Sequence, residues 1–308
     1  MNTETIAVGL PRGLPRADAE AELVAARRPF FKALGKWVRD QPLGAVSGIM
    51  VIFMILVAVF APQLAPFDPV EAHYGAMMTA PNAEYWLGTD QFGRDILSRI
   101  IWGARTALFI GFTAAILGGT LGLVLGVASA YFGGWFDLIF QRVMDVFLAF
   151  PLIIMALVAV AVFGTGPDKV IIAIILPFVP RCARVVRAGA LAIREMPYVD
   201  AARALGYSHL RIILRHMVPN CMATYLIMLT TFLGQAILIE AALSYLGLGV
   251  QEPTAAWGLM LQGGAEEFAE SAMWIAVFPG LAITLAVFAF NLLGDALRDT
   301  LDPKLRAR

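Results

Sequence analysis

Five stretches of the chain contain no Asp, Glu, Lys or Arg: 41–67 (27 residues), 106–136 (31), 146–167 (22), 216–239 (24) and 271–294 (24). Each is long enough for the roughly 20 residues that carry a helix across a bilayer. Their apolar residues run continuously instead of alternating, which predicts helices and not the strands of a barrel. A sixth stretch, 170–180, holds 11 uncharged residues before Arg181, Arg184 and Arg187. It also reads as a span, because those arginines stand at its end and long side chains can reach the interface. The pattern predicts an all-α, polytopic membrane protein with six transmembrane helices and both termini on one side.

Smaller features refine these helices. Gly118, Gly122 and Gly126 recur every four residues, leaving one helix face bare enough for close approach by another helix, in this chain or on a separate membrane subunit. Pro151, Pro177, Pro180 and Pro279 lie in or beside later spans. Each lacks an amide proton and invites a kink, which in a transporter could serve as a gate hinge or be tolerated as ordinary helix packing.

Composition agrees with the pattern. Of 308 residues, 59% are hydrophobic and 15% charged, against about 25% charged in a typical soluble domain, and the mean hydropathy is +0.75. With the N-terminus in the cytoplasm, 19 of the 23 lysines and arginines fall on inner segments, as the positive-inside rule expects. The formal net charge of zero hides this asymmetry and gives no reason to expect a nucleic-acid partner. Residues 1–42 mix seven basic residues with five acids and contain no apolar core of leader length. They read as a cytoplasmic tail, partly disordered at its start, and not as a cleaved signal. Cys182 and Cys221 both fall near the expected inner face, where a disulfide is not expected, and their number and spacing suggest no metal.

Residues 181–216 carry seven arginines against Glu195 and Asp200. Each arginine at the bilayer centre costs about 2.5–3.5 kcal/mol on insertion scales, so this segment belongs in the cytosol or at the inner interface. Pro197 can open a short helix through Asp200, Ala201 and Ala202, and Gly206 can close it in a left-handed conformation. Ser208 can cap a second helix that stops at Pro219, with Leu210, Ile213, Leu214 and Met217 as its apolar stripe. The slim first helix suits insertion into a groove on a partner; an ordinary interfacial connector explains it equally well.

The order Asp200-Ala201-Ala202, Gly206, then an apolar and basic helix ending Met217-Val218-Pro219, resembles the EAA loop of the membrane subunits of bacterial ABC importers. Asp200 replaces the usual Glu, which keeps the acidity on a shorter side chain. Three further stretches are similar to segments of the C-type permease subunit of the dipeptide/oligopeptide/nickel importers. They are Leu87-Gly-Thr-Asp-Gln-Phe-Gly-Arg-Asp-Ile-Leu-Ser-Arg99, Glu240-Ala-Ala-Leu-Ser-Tyr-Leu-Gly-Leu-Gly-Val250 and Phe290-Asn-Leu-Leu-Gly-Asp-Ala-Leu-Arg-Asp-Thr-Leu-Asp-Pro-Lys304.

The resemblance implies a type I importer transmembrane domain at 102–295 with a cytoplasmic coupling loop at 195–219. Before it come a cytoplasmic tail at 1–42, a first transmembrane helix at 43–66 and an extracytoplasmic segment at 67–101; a tail at 296–308 follows. It also implies a place in the bacterial inner membrane beside a homologous second permease subunit. Two ATPase subunits would dock on the coupling helix, and an extracytoplasmic substrate-binding protein would deliver peptides, or else nickel, glutathione, an opine or another small solute. Asp200, Ala201, Ala202, Gly206, Ser208 and Pro219 are then the ATPase-coupling residues.

No chemistry of its own is expected of the chain. It has no G-x-x-x-x-G-K-[ST] loop, so ATP and Mg are expected in partner subunits, with no catalytic residue, cofactor or metal here. His73, His209 and His216 fall far apart in the expected topology, and no serine elbow is present. The charge-free spans lack the intramembrane acids that a proton-coupled carrier or a membrane enzyme would use, which makes a stand-alone carrier or enzyme the weaker class. Arg181, Arg184 and Arg187 share an arc of about 120° on a helix and could meet lipid phosphates, an anionic substrate group or an acidic patch on the ATPase. Residues 240–272 hold five glutamates and no lysine or arginine. Together with 65–101 they form a candidate outer docking or gating surface, or a plain solvated loop.

Overall fold

A computed structural model describes residues 35, 37–267 and 271–301. The expectations for 1–34 and 302–308 lie outside the described residues. The chain divides into two units, Met1–Pro42 and Leu43–Arg308. Of the first, helical residues around Trp37 are described, and the Gln41 N–H donates to the Trp37 carbonyl at 2.8 Å.

The helices follow as α1 (Pro42–Val59), α2 (Ala61–Leu64), α3 (Ile96–Phe132), α4 (Gly134–Leu148), α5 (Leu152–Phe163), α6 (Pro167–Arg194), α7 (Pro197–Ala204) and α8 (His209–Ile212). A π-turn (Ile213–Met217) then leads into α9 (Val218–Tyr245), followed by α10 (Trp257–Glu267) and α11 (Trp274–Leu301). Among the described residues the one extended pairing outside helices is an isolated bridge between Thr89 and Asp95.

Among the described residues four helices are long and apolar enough to cross a membrane: α1, α3, the run His209–Tyr245 and α11. The pair α4 and α5 makes a fifth if counted as one bent span. By length and composition alone, the described helices thus give four or five candidate spans beside the six expected. The expected third span, 146–167, is broken, with α4 and α5 meeting at 90°. Pro151 has no N–H to donate and disfavours helical geometry at Phe150, so one uninterrupted apolar run folds as two helices. Helix α5 has 12 residues, about 18 Å of rise, short of a hydrocarbon core of roughly 30 Å. The stretch 170–180 lies in the first half of α6, a 28-residue helix that continues through Pro177 and Pro180. Its arginines set it apart from the purely apolar spans.

Charge-free bounds also truncate two helices. Helix α3 begins at Ile96, well before 106, and takes in Arg99 and Arg105; its 37 residues rise about 55 Å. Asp95 caps it by accepting from the Ser98 N–H at 2.8 Å. Helix α9 likewise runs past 239 and encloses Glu240, which is buried. The expectation of spans free of ionisable groups fails there. Glu240 lies inside the protein, where its carboxylate accepts a 2.8 Å hydrogen bond from Ser244 Oγ.

Helix α3 is packed closely on two faces, at backbone distance toward α6 and against side chains toward α9. A methyl group on Gly122 would stand 2.4 Å from Cys182 Cβ and 2.9 Å from the Val179 carbonyl oxygen, and one on Gly126 would stand 2.5 Å from the Ala183 carbonyl oxygen, all on α6. Toward α9, a methyl on Gly119 would meet Leu229 at 2.8 Å, and the Thr120 and Tyr225 hydroxyls are 2.7 Å apart. The four-residue glycine spacing thus serves helix packing within this chain. Helices α6 and α9 meet through the stacked rings of Phe178 and Phe232, with centroids 4.1 Å apart. Phe290 of α11 sets its ring edge-on to Phe112 of α3 at 5.9 Å.

Two alanine substitutions should therefore separate. Gly126→Ala inserts a methyl against backbone and should destabilise the fold by about 1–3 kcal/mol. Gly189→Ala, in α6 with nothing within 4 Å of the new methyl, should be neutral or stabilise by about 0.5–1 kcal/mol. Thermal unfolding of the purified protein in detergent checks both; equal melting temperatures for the two variants would contradict the packing.

Candidate functional site

The arginine-rich segment forms a built loop at the end of the bundle where α3 finishes. Pro197 opens α7 and Asp200 sits in its first turn, where a negative charge is favourable. Asp200 pairs with Arg203 at 2.9 Å, but both side chains are largely exposed, so the pair adds little stability. Val199 and Ala202 are buried, whereas Asp200, Ala201, Ala204 and Leu205 face outward. Leu205 is 73% exposed, so the outer edge of α7 is small, apolar and tipped with an acid.

Gly206 ends α7 at φ +74°. Its N–H donates to the Arg203 carbonyl at 2.9 Å and the Tyr207 N–H donates to the Ala202 carbonyl at 3.1 Å, the paired bonds of a Schellman cap. Ser208 caps α8, with Oγ accepting from the Arg211 N–H at 3.4 Å. The chain does not stop at Pro219, contrary to expectation. The Val218 N–H reaches back five residues to the Ile213 carbonyl, and Pro219, which has no N–H to place, lies in the first turn of α9. The wider turn also rotates the apolar stripe. Ile212 and Met217, five apart, are buried, while Leu210 and Leu214 are 65% and 57% exposed. Asp200, Ala201, Ala202, Gly206 and Ser208 are thus brought together, with Pro219 beyond the π-turn.

Several contacts tie this loop to the helices. The Tyr131 hydroxyl lies 2.7 Å from His209 Nδ1, and the Arg203 guanidinium sits 5.4 Å over the Tyr131 ring. Arg194 Nη1 donates to the Ala130 carbonyl at 2.9 Å. Tyr207 stacks on His216, with ring centroids 6.2 Å apart. Arg181, Arg184 and Arg187 do not converge on one target. Arg187 pairs with Asp137, its Nε donating at 2.6 Å, and Arg184 pairs with Asp145; both acids are on α4. Among the described residues Arg181 has no hydrogen-bond or ion-pair partner.

At the other end, where α3 begins, four charged residues form a second cluster. Asp90 accepts from Arg94 Nε at 2.7 Å, and Arg94 donates from Nη1 and Nη2 to the Glu252 carboxylate at 2.6 and 3.2 Å. Buried Arg99 donates to the Pro69 carbonyl at 2.9 Å and lies 3.5 Å from Glu252. Burial works against the charged form of Arg94, but the hydrogen bonds and charges of Glu252 and Asp90 outweigh it and hold the guanidinium above the usual arginine range. Trp257 Nε1 donates to the Ile100 carbonyl at 3.0 Å and Thr106 Oγ1 to the Ala255 carbonyl at 2.9 Å. The segment 240–272 is consequently not a plain solvated loop: Val250, Ala256 and Trp257 are buried. Sequence reasoning gave no role to Arg94, Glu252, Tyr131 or Asp137. The available signal was that charges in so apolar a chain need partners.

These features define a multispanning helical membrane protein with an exposed helix-and-turn element at one end. A family profile described as binding-protein-dependent transport system inner membrane component matches residues 118–307, and one for the N-terminal TM domain of oligopeptide transport permease C matches residues 38–81. The chain belongs to the binding-protein-dependent transport system inner membrane component family. A transport system permease protein of Brucella suis is 45% identical over 258 residues, covering 84% of this chain and 86% of that protein. A dipeptide transport system permease protein of Alkalihalophilus pseudofirmus is 40% identical, covering 95% of each chain. A glutathione transport system permease protein of Escherichia coli is 40% identical, covering 87% of this chain and 88% of that one. In fold, the chain is similar to a subunit in a solved inward-facing MetNI methionine ABC transporter, with a TM-score of 0.53, 17% identity, and coverage of 67% of this chain and 98% of that one.

Replacing Glu252 with alanine removes the acceptor shared by Arg94 and Arg99. Stability should fall by about 1–3 kcal/mol, with Glu252→Gln intermediate because it keeps one acceptor oxygen. Thermal unfolding in detergent reads this directly, and an unchanged midpoint for Glu252→Ala would show that the cluster does not hold the two segments together.

Proposed function

We propose that the chain is the permease subunit of an ATP-driven importer and forms half of the translocation path for di- or oligopeptides brought by an extracytoplasmic binding protein. The observation that carries this reading is the outer edge of α7, a small, apolar, acid-tipped surface held out from the bundle by the Gly206 cap. Such a helix fits a groove on a partner. The partner is one of two ATPase subunits, which bind ATP and Mg, and a homologous second permease supplies the other half of the path. Asp200, Ala201 and Gly206 make the ATPase contact, buried Ala202 seats α7 on the bundle behind them, and Ser208 and Pro219 set the loop on α9. Peptides as cargo follow from the dipeptide and glutathione permease relatives, equal in identity at 40%.

In this reading both termini and α7 are cytoplasmic, an orientation supported by the 19 of 23 basic residues on that side. The Asp90, Arg94, Arg99 and Glu252 cluster then faces outward, where it stiffens the surface on which the binding protein docks. Arg184 and Arg187 are engaged by α4, which leaves Arg181 as the candidate of the three for the substrate path or an ATPase contact.

The test is the assembled complex in nanodiscs. ATP hydrolysis should rise severalfold on adding substrate-loaded binding protein. Gly206→Trp should abolish that rise while the subunit stays in the membrane, whereas Gly206→Asn, which tolerates the left-handed backbone, should retain most of it. Solute transport by this chain reconstituted alone would overturn the reading in favour of a stand-alone carrier.

A further inference from the structure

We infer that Tyr131 is a positioning residue that carries movement of the α7–α8 loop into α3. The inference rests on the reading of α7 as the ATPase contact. Covalent and non-covalent routes join α7 to the bundle. One covalent route runs back through residues 195–196 into α6, and the other passes through α8 and the π-turn into α9. There the backbone bonds reach back five residues, from Val218 N–H to the Ile213 carbonyl, and the next residue, Pro219, has no N–H. Such a turn is a compliant joint. The non-covalent route includes the buried Val199 and Ala202 of α7, and in it one side chain of α3, Tyr131, meets both α7 and α8. Tyr131 is buried one residue before the end of α3. Its hydroxyl is 2.7 Å from His209 Nδ1 of α8, and its ring lies under Arg203 of α7.

The same turn of α3 is tied to α6, because Arg194 donates to the Ala130 carbonyl at 2.9 Å. Phe132 adds a tilted ring contact to His209, with centroids 6.0 Å apart. Beyond this turn α3 lies at backbone distance from α6, where a methyl on Gly126 would collide with the Ala183 backbone, and against α9 through the Leu229 and Tyr225 side chains at Gly119. A displacement applied at Tyr131 therefore meets backbone directly on the α6 side, where no side-chain layer can absorb it, and reaches α9 through the packed Leu229 and Tyr225 side chains. Tyr131 thus holds α7 and α8 against α3, which packs on both α6 and α9.

Hydrogen-exchange mass spectrometry on the complete complex in nanodiscs tests this without knowledge of the cargo, by comparing the nucleotide-free state with the state trapped by ATP and vanadate. In the unaltered complex, trapping should change exchange both at 197–219 and at 126–132. Tyr131→Phe keeps the ring and its contact with Arg203 but loses the hydroxyl. The nucleotide-dependent change at 126–132 should fall at least twofold while that at 197–219 persists. A merely structural role would instead raise exchange equally in both nucleotide states.

His209→Asn, whose side-chain amide can replace Nδ1 as hydrogen-bond partner, should keep more of the response than His209→Leu. His209→Leu also removes the bond from the other side should Tyr131→Phe fail to assemble. An undiminished response at 126–132 in Tyr131→Phe or His209→Leu, or no response there in the unaltered complex, overturns the inference. Gly206→Trp distinguishes the two levels. If it abolishes the nucleotide response at 197–219 and Tyr131→Phe changes nothing, Tyr131 alone is refuted; if it leaves every response intact, the reading of α7 is what fails.

Discussion

The close contact of α3 with α6, where Gly122 and Gly126 face Val179, Cys182 and Ala183, is the constraint from which the rest of the bundle follows. In lipid, apolar side chains gain little by leaving a medium that is itself apolar, so helices associate through shape and close approach. Side chains larger than hydrogen at Gly122 and Gly126 would force the two backbones apart. With α6 seated, its basic face can meet α4, where Asp137 and Asp145 receive Arg187 and Arg184. Its last turn lies beside the end of α3, where Arg194 finds the Ala130 carbonyl. The position of α7, three residues further on, is inherited from that seat.

Charge is used sparingly and in pairs. Removing the partner of a buried charged group, as with the acid facing Arg94, strands that group away from solvent, which is costlier than the net gain from forming the pair. Such pairs therefore act as registration marks between segments remote in sequence. Arg94 and Glu252 are 158 residues apart and hold the segment before α3 to the turn before α10; Arg187 and Asp137 are 50 apart and hold α4 to α6.

The helices themselves were legible because long apolar runs leave the backbone few alternatives, and the family was legible in four short stretches. Helix ends were not. Counting uncharged residues stops at Arg105 and at Ile239, while α3 and α9 continue because Arg99 and Glu240 are accommodated inside protein and not in lipid. The break at Pro151 was visible as a kink, but its 90° size depends on where α4 finds its partners. The cap at Gly206 followed from local chemistry alone and appears as expected. The stripe of Leu210, Ile213, Leu214 and Met217 did not, since a π-turn changes the period that such a pattern assumes. Nothing local marks that turn except Pro219. The ion-pair partners Arg94 and Glu252, and the meeting of Tyr131 with His209, are set by tertiary packing and could not be read from spacing.

The length of α3 joins these observations. It starts at Asp95, beside the Arg94 cluster, and ends one residue past Tyr131, so a single helix of about 55 Å touches both charged ends of the molecule. It contains no proline, whereas α6 has two in its interior and α11 has one. A helix bends most readily at proline or where its backbone bonds are interrupted, and the glycines of α3 are braced by α6 and α9. It is therefore the element least able to absorb a push at one end by kinking. The packing that builds the fold, the glycine face on α6, is also what keeps the two ends mechanically in register.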